Sequence, residues 1–260
     1  MIDVPSSIAK DESIDEVSIE NRGIVKEMKM KRASFTYTLL SLVAFCVATG
    51  TLCAEEKFKP LFNGENLDGW VQKGGKADYR VEDNQIIGTS KKGTPNSFLC
   101  TDKDYANFVL ELEFFPDPVL NSGVQIRSNM YNEEKTYTWT DSEGKEQTRN
   151  VPANRVHGYQ VEIDPSARAW TGGIYDESRR GWLNNLVDNQ PAREAFKPGE
   201  WNTFRVVANG DSIKTFLNGV PAADLKDDMT SSGFIALQVH NFKEDGHEMK
   251  WRNICIKELP

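Results

Sequence analysis

The sequence predicts an all-β fold in which two antiparallel sheets pack as a sandwich. From Phe58 onward, about a dozen short runs of alternating apolar and polar residues are separated by turn residues. Asn209-Gly210 lies between two such runs and is a strong hairpin signal, and Asp83-Asn84 predicts a second hairpin. No amphipathic helix is evident in this region, so the pattern favours a sandwich of antiparallel strands over a parallel sheet with connecting helices.

Composition places the chain among ordinary soluble globular proteins. Of its 260 residues, 27% are charged and 38% are hydrophobic, and the formal net charge is -8. No stretch of the sequence forms a basic patch, which argues against nucleic acid as a partner.

The first 54 residues are predicted to lie outside the folded domain. A basic region at residues 26–32 precedes an uncharged stretch at residues 33–54, which ends in Leu52-Cys53-Ala54. This is the layout of a secretory signal peptide, so we expect secretion or export to the periplasm and a single domain at residues 55–260. An uncleaved anchor is the alternative, and only then is the membrane a partner.

Two further expectations concern the start of the chain and its cysteines. A start at Met28 or Met30 would leave residues 1–27 untranslated. Cys100 and Cys255 remain after the leader is removed, and two cysteines can form a disulfide in an oxidising compartment. The sequence does not show whether their strands are adjacent.

The strand at residues 159–163 organises the predicted site. Because side chains alternate along a strand, one face carries apolar side chains and the other carries polar ones. The apolar side chains are those of Tyr159, Val161 and Ile163, and the polar ones are those of Gln160, Glu162 and Asp164. A solvated strand face is the simplest interpretation of such a pattern. Two carboxylates beside an amide also suit the binding and chemistry of a small molecule.

The same alternation recurs in two other predicted strands. Gln125 and Arg127 alternate with aliphatic residues, and so do Gln238 and His240. If the three strands lie side by side, they form one concave surface, which we call the polar floor. Its predicted members are Gln125, Arg127, Gln160, Glu162, Asp164, Gln238 and His240.

Two connecting segments are candidates for contact with a ligand. Residues 170–182 contain Trp170, Arg179, Arg180 and Trp182, whose ring faces and guanidinium groups suit sugars and anions. The alternative is a salt-bridged loop with tryptophan packed into the core. Residues 129–154 are polar and broken, so we expect an irregular segment that folds over the polar floor.

The sequence lacks the motifs of several reaction classes, and its remaining candidate residues favour a sugar-binding site. There is no glycine-rich phosphate loop, no HExxH helix and no Gly-x-Ser-x-Gly elbow. His240 together with Glu162 or Asp164 is a candidate ligand set for a divalent metal ion. Polar groups that match hydroxyls, with an aromatic rim, favour a carbohydrate as the ligand.

Several motifs in order carry a resemblance to a known family. They are Leu61-Phe62-Asn63-Gly64, Leu67-Asp68-Gly69-Trp70, the segments 121–127 and 158–164, Gly199-Glu200-Trp201-Asn202, Leu217-Asn218-Gly219-Val220 and the closing segment 252–259. Over residues 58–260 the chain resembles the 3-keto-disaccharide hydrolase domain family. The resemblance implies a concanavalin A-like jelly-roll sandwich, bacterial secretion and activity on 3-keto-glycosides.

The resemblance also implies roles for the predicted site residues. A ketone at C3 makes the C2 proton acidic, so a base removes it, the C1 substituent leaves, and water adds back. Glu162 is the expected base, with Asp164 or His240 as the acid and Arg127 or a metal ion stabilising the enolate. The substrate-binding candidates are Gln125, Arg127, Gln160, Gln238, Tyr159, Trp170, Arg179, Arg180 and Trp182.

Two other functions remain open at this point. One is hydrolysis of an unmodified glycoside by two carboxylates. The other is a carbohydrate-binding module without catalysis. The sequence fixes neither the sugar nor the oligomeric state.

Overall fold

Residues 58–260, the part of the chain that the computed structural model describes, form seventeen strands and one short helix. The predicted leader at residues 1–54 lies outside the described residues. The strands are β1 Lys59–Pro60, β2 Trp70–Gly74, β3 Asp78–Glu82, β4 Gln85–Thr89, β5 Ser97–Tyr105, β6 Phe108–Phe115, β7 Ser122–Asn129, β8 Lys135–Thr140, β9 Glu146–Val151, β10 His157–Ile163, β11 Ile174–Glu177, β12 Gly181–Asn184, β13 Asn202–Asn209, β14 Ser212–Leu217, β15 Val220–Lys226, β16 Gly233–Val239 and β17 Glu248–Glu258.

The helix α1 spans Gln190–Glu194 between β12 and β13. Asn189 caps it, since its side chain accepts a hydrogen bond from the Ala192 amide, and proline occupies the first turn. None of the helices in residues 58–260 is long and apolar enough to span a bilayer.

Two large antiparallel sheets contain nearly all the strands. The first sheet has the order β15-β14-β13-β6-β17-β4-β3, with β1 beside β17. The second has the order β12-β11-β10-β7-β16-β5-β2. Every strand pairing in residues 58–260 is antiparallel, which confirms the predicted all-β sandwich. The Asn209-Gly210 and Asp83-Asn84 hairpins form as predicted.

The core lies between the inner faces of the two sheets. Tyr159, Val161 and Ile163 of β10 are fully buried there, as their alternation predicts. From the first sheet, the rings of Phe114 and Phe204 pack with their centroids 4.5 Å apart. Each such side chain contributes about 1.5–3 kcal/mol on burial, and this fixes the register of β10 and leaves its other face outward.

Residues 129–154 are more regular than the sequence predicts. β8 and β9 pair as a separate two-stranded hairpin whose turn is closed by the Asp141 side chain, which accepts from the Glu143 and Lys145 amides. The run Lys135–Thr140 alternates threonine with aromatic residues, a composition that favours a strand, so the expectation of an irregular segment is wrong.

The base of this hairpin is fastened to the second sheet. The Tyr137 hydroxyl donates to His157 Nε2 at 2.7 Å, because His157 Nδ1 already donates to the Arg155 carbonyl. Val156 packs on Phe98 and on neighbouring apolar residues of β5 and β16. Val156, which follows the hairpin, and Met130, which precedes it, thus pack on the apolar part of the outer face.

The two cysteines lie in different sheets. Cys100 is a buried free thiol in β5, whereas Cys255 lies in β17 of the first sheet, so the disulfide that the sequence left open is not formed. Burial raises the pKa of the Cys100 thiol to about 12, which keeps it protonated and unreactive near neutral pH.

Candidate functional site

The outer face of the second sheet brings together polar side chains from β7, β10 and β16. Gln160 pairs with Gln125 across β10 and β7, and Gln238 pairs with Gly123 across β16 and β7. A Cβ atom on Gly123 would lie 2.5 Å from the Gln160 Cδ atom. The absence of a side chain at Gly123 therefore lets Gln160 lie flat across the central strand.

A network of side-chain amides fixes the orientation of Gln160. Its Oε1 atom accepts from Gln125 Nε2 at 2.5 Å and from Gln238 Nε2 at 2.8 Å. The Ser128 hydroxyl in turn donates to Gln125 Oε1 at 2.8 Å. Since the Gln160 oxygen is engaged twice, its Nε2 atom is the one that donates to Glu162 Oε2, at 2.8 Å.

Glu162 is a nearly inaccessible carboxyl with an unusual ionisation. Burial raises its pKa to about 7, although donors from Asn121 and Gln160 lower it in part. The Asn121 amide donates to the Glu162 Oε1 atom at 2.7 Å. A carboxyl with a pKa near neutrality is suited to general-base catalysis, because it is basic enough to accept a proton and about half ionised at neutral pH.

Asp164 does not share the surroundings of Glu162. It follows the end of β10 and accepts from Arg168 Nε at 2.8 Å and from the amides of Ser166 and Trp170. These donors lower the pKa of Asp164 despite its burial. Its carboxylate therefore stays ionised and positions Arg168, so it has no proton to give at neutral pH.

Arg168 lies beside Glu162 on a platform of two tryptophan rings. Its guanidinium carbon is 4.6 Å from the Trp170 ring centroid and 5.1 Å from that of Trp182. Its Nη2 atom is 3.8 Å from Glu162 Oε1. Trp170 and Trp182, which were predicted to bind substrate, thus hold a cation next to Glu162.

A pocket of about 480 Å³ opens above Glu162, within the usual range for small-molecule sites. Its lining residues are Asn96, Asn121, Gln160, Glu162, Arg168, Tyr175, Glu177, Trp182 and His240. A larger cleft of about 1130 Å³ shares Asn96 and His240 with this pocket. We refer to the two cavities as the pocket and the cleft.

The predicted site residues divide into three groups by position. Gln160, Glu162, Trp182 and His240 line the pocket. Gln125 and Gln238 are fully buried in the amide network, so they act on Gln160 and do not reach a ligand. Of the predicted polar floor, Asp164 and Arg127 do not line either cavity.

Arg127 is displaced by a β-bulge. Its φ is 45°, and the register of β7 shifts where it pairs with β10 and β16, so Ser128 takes the outward position. The Arg127 guanidinium is buried and donates to the carbonyls of Ala106 and Gly210 and to Asn107 Oδ1. The assignment of Arg127 to the polar floor is therefore wrong.

Tyr159, Arg179 and Arg180 also lie away from the pocket, in a buried ionic cluster. Both arginines pair with Asp176, and Arg180 also pairs with Asp227, which accepts a hydrogen bond from the Tyr159 hydroxyl. Their guanidinium groups lie within 6.0 Å of the Tyr159 ring centroid. The salt-bridged loop is the arrangement found, and these three residues are unavailable to a ligand.

The three candidate metal ligands do not converge. Within residues 58–260 no group of three or more His, Cys, Asp and Glu side chains could hold a metal ion. Glu162 is engaged by two amides and Asp164 by Arg168 and backbone amides. The residues present do not fit a resident metal ion bound by Glu162, Asp164 and His240.

Five residues that line the pocket were not among the predicted site residues: Asn96, Asn121, Arg168, Tyr175 and Glu177. Asn96, Asn121 and Arg168 lie in connections, where no strand period indicates direction. Tyr175 pairs with Gln160 and Glu177 with Gly158 on β11, so both continue the rows of the outer face. The alternation over Ile174–Glu177 was the one available signal, and it is only four residues long.

Comparison with known proteins adds the family. None of the curated proteins matches the chain. A Bacillus subtilis protein of unknown function with a galectin-like fold is 8% identical, over 77% of this chain and 94% of that one, with a TM-score of 0.52. A candidate glycosyl hydrolase from Parabacteroides distasonis is 21% identical, over 78% and 100%, with a TM-score of 0.48. The carbohydrate-binding module CBM66 of Bacillus subtilis is 15% identical, over 73% and 96%, with a TM-score of 0.40. The 3-keto-alpha-glucoside-1,2-lyase-like domain matches residues 57–257, and the chain therefore belongs to that family.

Proposed function

We propose that this protein cleaves 3-keto-glycosides by removing the proton at C2, eliminating the C1 substituent and hydrating the product. The observation that carries the proposal is Glu162, a buried carboxyl whose pKa is raised to about 7 at the floor of a sugar-sized pocket. The family match supports this reaction class.

The chemistry follows from the ketone. Glu162 takes the C2 proton, and the C–H electron pair moves toward the C3 carbonyl to give an enolate. Reforming the carbonyl makes the C1–C2 double bond and expels the C1 oxygen, which takes up a proton. Water then adds to C1 as a proton returns to C2, so the sum of the steps is hydrolysis.

Arg168 takes the role that the sequence analysis gave to Arg127. Its guanidinium is fixed by Asp164 and by the two tryptophan rings, so it is preorganised to stabilise negative charge on the enolate. Donation to the leaving oxygen belongs to the other side of the pocket, where His240 lies, because Asp164 is held ionised by Arg168.

The same geometry disfavours hydrolysis by Glu162 and Asp164 acting as a carboxylate pair. The Glu162–Asp164 pair of the sequence analysis does not share one cavity, since only Glu162 lines the pocket. A binding module remains the competing function, because the Trp182 and Tyr175 rings and the amides of the pocket also suit simple sugar binding.

A substrate screen tests the proposal. The purified protein is incubated with 3-keto-glucosides and with the same glucosides unoxidised, with and without a chelator, and products are followed by NMR in heavy water. We expect release of the aglycone from the keto substrates alone, with deuterium at C2 of the sugar. Binding without turnover of any substrate would establish the binding-module function instead. From the leader motif we also propose export, which N-terminal sequencing of the protein from its host tests.

A further inference from the structure

The cleft beside the pocket is lined by more positive than negative charge. Lys92, Arg155 and Lys243 line it, and the carboxylate that faces them is that of Glu244. The chain as a whole has the opposite balance, with a formal net charge of -8. A concave surface with a local excess of one charge attracts ligands of the opposite charge. The cleft therefore suits an anionic group, although the protein is acidic.

Two of these cations are not used by the fold. Lys92 and Arg155 are exposed, and within residues 58–260 their side chains form no ion pair or hydrogen bond. Arg168 of the pocket, by contrast, is held by a carboxylate. Lys243 lies 3.4 Å from Glu244, but both side chains are mostly exposed, and such a pair contributes about 0–1 kcal/mol. An anionic ligand can therefore bind these cations without breaking an ion pair on which the fold depends.

The walls of the cleft are fixed to each other by hydrogen bonds. They are formed by the connections that follow β4 and β16. At one end the Ser90 hydroxyl donates to the Glu244 carbonyl oxygen at 2.9 Å, and at the other Asn96 Oδ1 accepts from the Asn241 amide at 2.9 Å. The cleft is thus formed in advance, so that binding does not have to order its walls.

The cleft continues the pocket. Asn96 and His240 line both cavities. Burial raises the pKa of Glu177 in the pocket, and Arg155 is near enough to reduce this rise, so Arg155 stands close to the junction. The cleft, at about 1130 Å³, is more than twice the size of the pocket, at about 480 Å³. When the reacting ring lies over Glu162, the far part of a longer substrate therefore extends into the cleft.

We propose that the cleft binds an anionic group carried by the leaving-group side of the substrate, so that the protein prefers acidic saccharides; this rests on the proposed function. The group is a carboxylate, a sulfate or a phosphate, since the oxygens of all three accept hydrogen bonds from guanidinium and ammonium groups. Arg155 offers a planar fork for two oxygens, and Lys92 offers a compact charge. The anion takes no part in the reaction and acts by holding the substrate, which lowers KM.

Matched substrates with and without the charge test the proposal. The wild type is assayed on the 3-keto-glucosides of glucose, glucuronic acid, glucose 6-sulfate and glucose 6-phosphate, which differ only at C6 of the leaving sugar. We expect kcat/KM to be on the order of tenfold higher for the acidic substrates at an ionic strength of about 0.01 M. This preference should shrink toward 1 M salt, because screening weakens exposed charge pairs. Comparison of the three acids shows which anion the cleft takes.

Removal of the two unpaired cations should abolish the preference. The double variant Lys92→Gln/Arg155→Gln keeps polar side chains at two exposed positions, so we expect it to fold, and thermal melts check this. Its ratio of kcat/KM between acidic and neutral substrates should fall to about one. The matched control, Lys59→Gln/Lys103→Gln, removes two exposed charges outside both cavities and should keep the wild-type ratio.

The outcomes separate this proposal from the proposed function. If the wild type cleaves none of the keto substrates, the proposed function fails, and calorimetric binding of the unoxidised disaccharides then decides between acid and neutral ligands. Equal kcat/KM or equal affinity for acidic and neutral sugars at low salt would overturn the anion subsite alone. So would a preference that survives undiminished in Lys92→Gln/Arg155→Gln.

Discussion

Replacing Glu162 with glutamine separates its chemical role from its cost to the fold. The variant keeps the shape of the side chain and one oxygen acceptor, and Asn121, which is only partly buried, can turn its amide to meet the new NH₂ group. Gln160 cannot turn, because its oxygen accepts two hydrogen bonds. We therefore expect a folded protein whose base is missing.

The effect on turnover is large and depends on pH in the wild type. Loss of a general base typically costs about 10²–10⁴ in rate, so we expect at least about a hundredfold loss of kcat/KM for Glu162→Gln. With a pKa of about 7, roughly a tenth of Glu162 is ionised at pH 6 and roughly nine tenths at pH 8. Wild-type kcat/KM should rise accordingly across this interval. Deuterium at C2 of the substrate should slow the reaction.

The effect on stability has the opposite sign and a defined pH window. A folded-state pKa raised from 4.5 to about 7 means that ionising Glu162 costs the fold about 3 kcal/mol. This carboxyl favours the folded state fully below pH 4.5, and that contribution is lost as the pH rises through 7. Glu162→Gln should therefore gain in melting temperature relative to the wild type, by on the order of 5 °C, between pH 5 and pH 8.

Thermal melts and initial rates on one verified keto substrate check both expectations. Full activity in Glu162→Gln would refute the role of Glu162 as base. A melting-temperature difference that does not change between pH 5 and pH 8 would refute the claim that Glu162 titrates near neutrality in the folded protein.

Three further substitutions test the surroundings of the base. Gly123→Ala puts a methyl group 2.5 Å from Gln160 Cδ without backbone strain, so kcat should fall on the order of tenfold while the fold persists by circular dichroism. Arg168→Ala removes the cation beside Glu162, and we expect kcat to fall on the order of a hundredfold with little change in KM. An effect on KM alone would make Arg168 a binding residue only. Arg127→Met leaves three hydrogen-bond acceptors without their donor, so the free energy of unfolding measured in urea should fall by on the order of 3 kcal/mol. Its kcat/KM should stay within about twofold of the wild-type value. A large loss of activity at unchanged stability would return Arg127 to the site.

Strand alternation was sufficient to predict the fold and the centre of the site. It predicted correctly that Gln160 and Glu162 face outward together, because β10 is regular from Tyr159 to Ile163 and its apolar partners are fully buried. It failed at Arg127, where one residue in a left-handed conformation reverses the alternation beyond it. A bulge of this kind leaves no trace in the hydrophobic pattern.

Residue type alone did not predict which loop residues line the pocket. Arg179 and Arg180 resemble ligand-binding arginines in the sequence, yet Asp176 of the same segment and Asp227 from a distant one neutralise them inside the protein. Arg168, which does reach the pocket, stands in a connection with no periodic neighbours. Which cation remains available depends on long-range pairing, and a single sequence does not display it.

The two faces of β10 are under different structural constraints. Its odd-numbered positions, Tyr159, Val161 and Ile163, pack in the core, while Gln160 and Glu162 line the pocket on the outer face. At the core positions, one aliphatic residue can replace another if compensating changes occur across the sandwich. The pocket positions can change with a new substrate while the core between the sheets stays the same. Neighbouring residues of one short strand can therefore change independently, so the pocket can adapt to a new ligand without a change of fold.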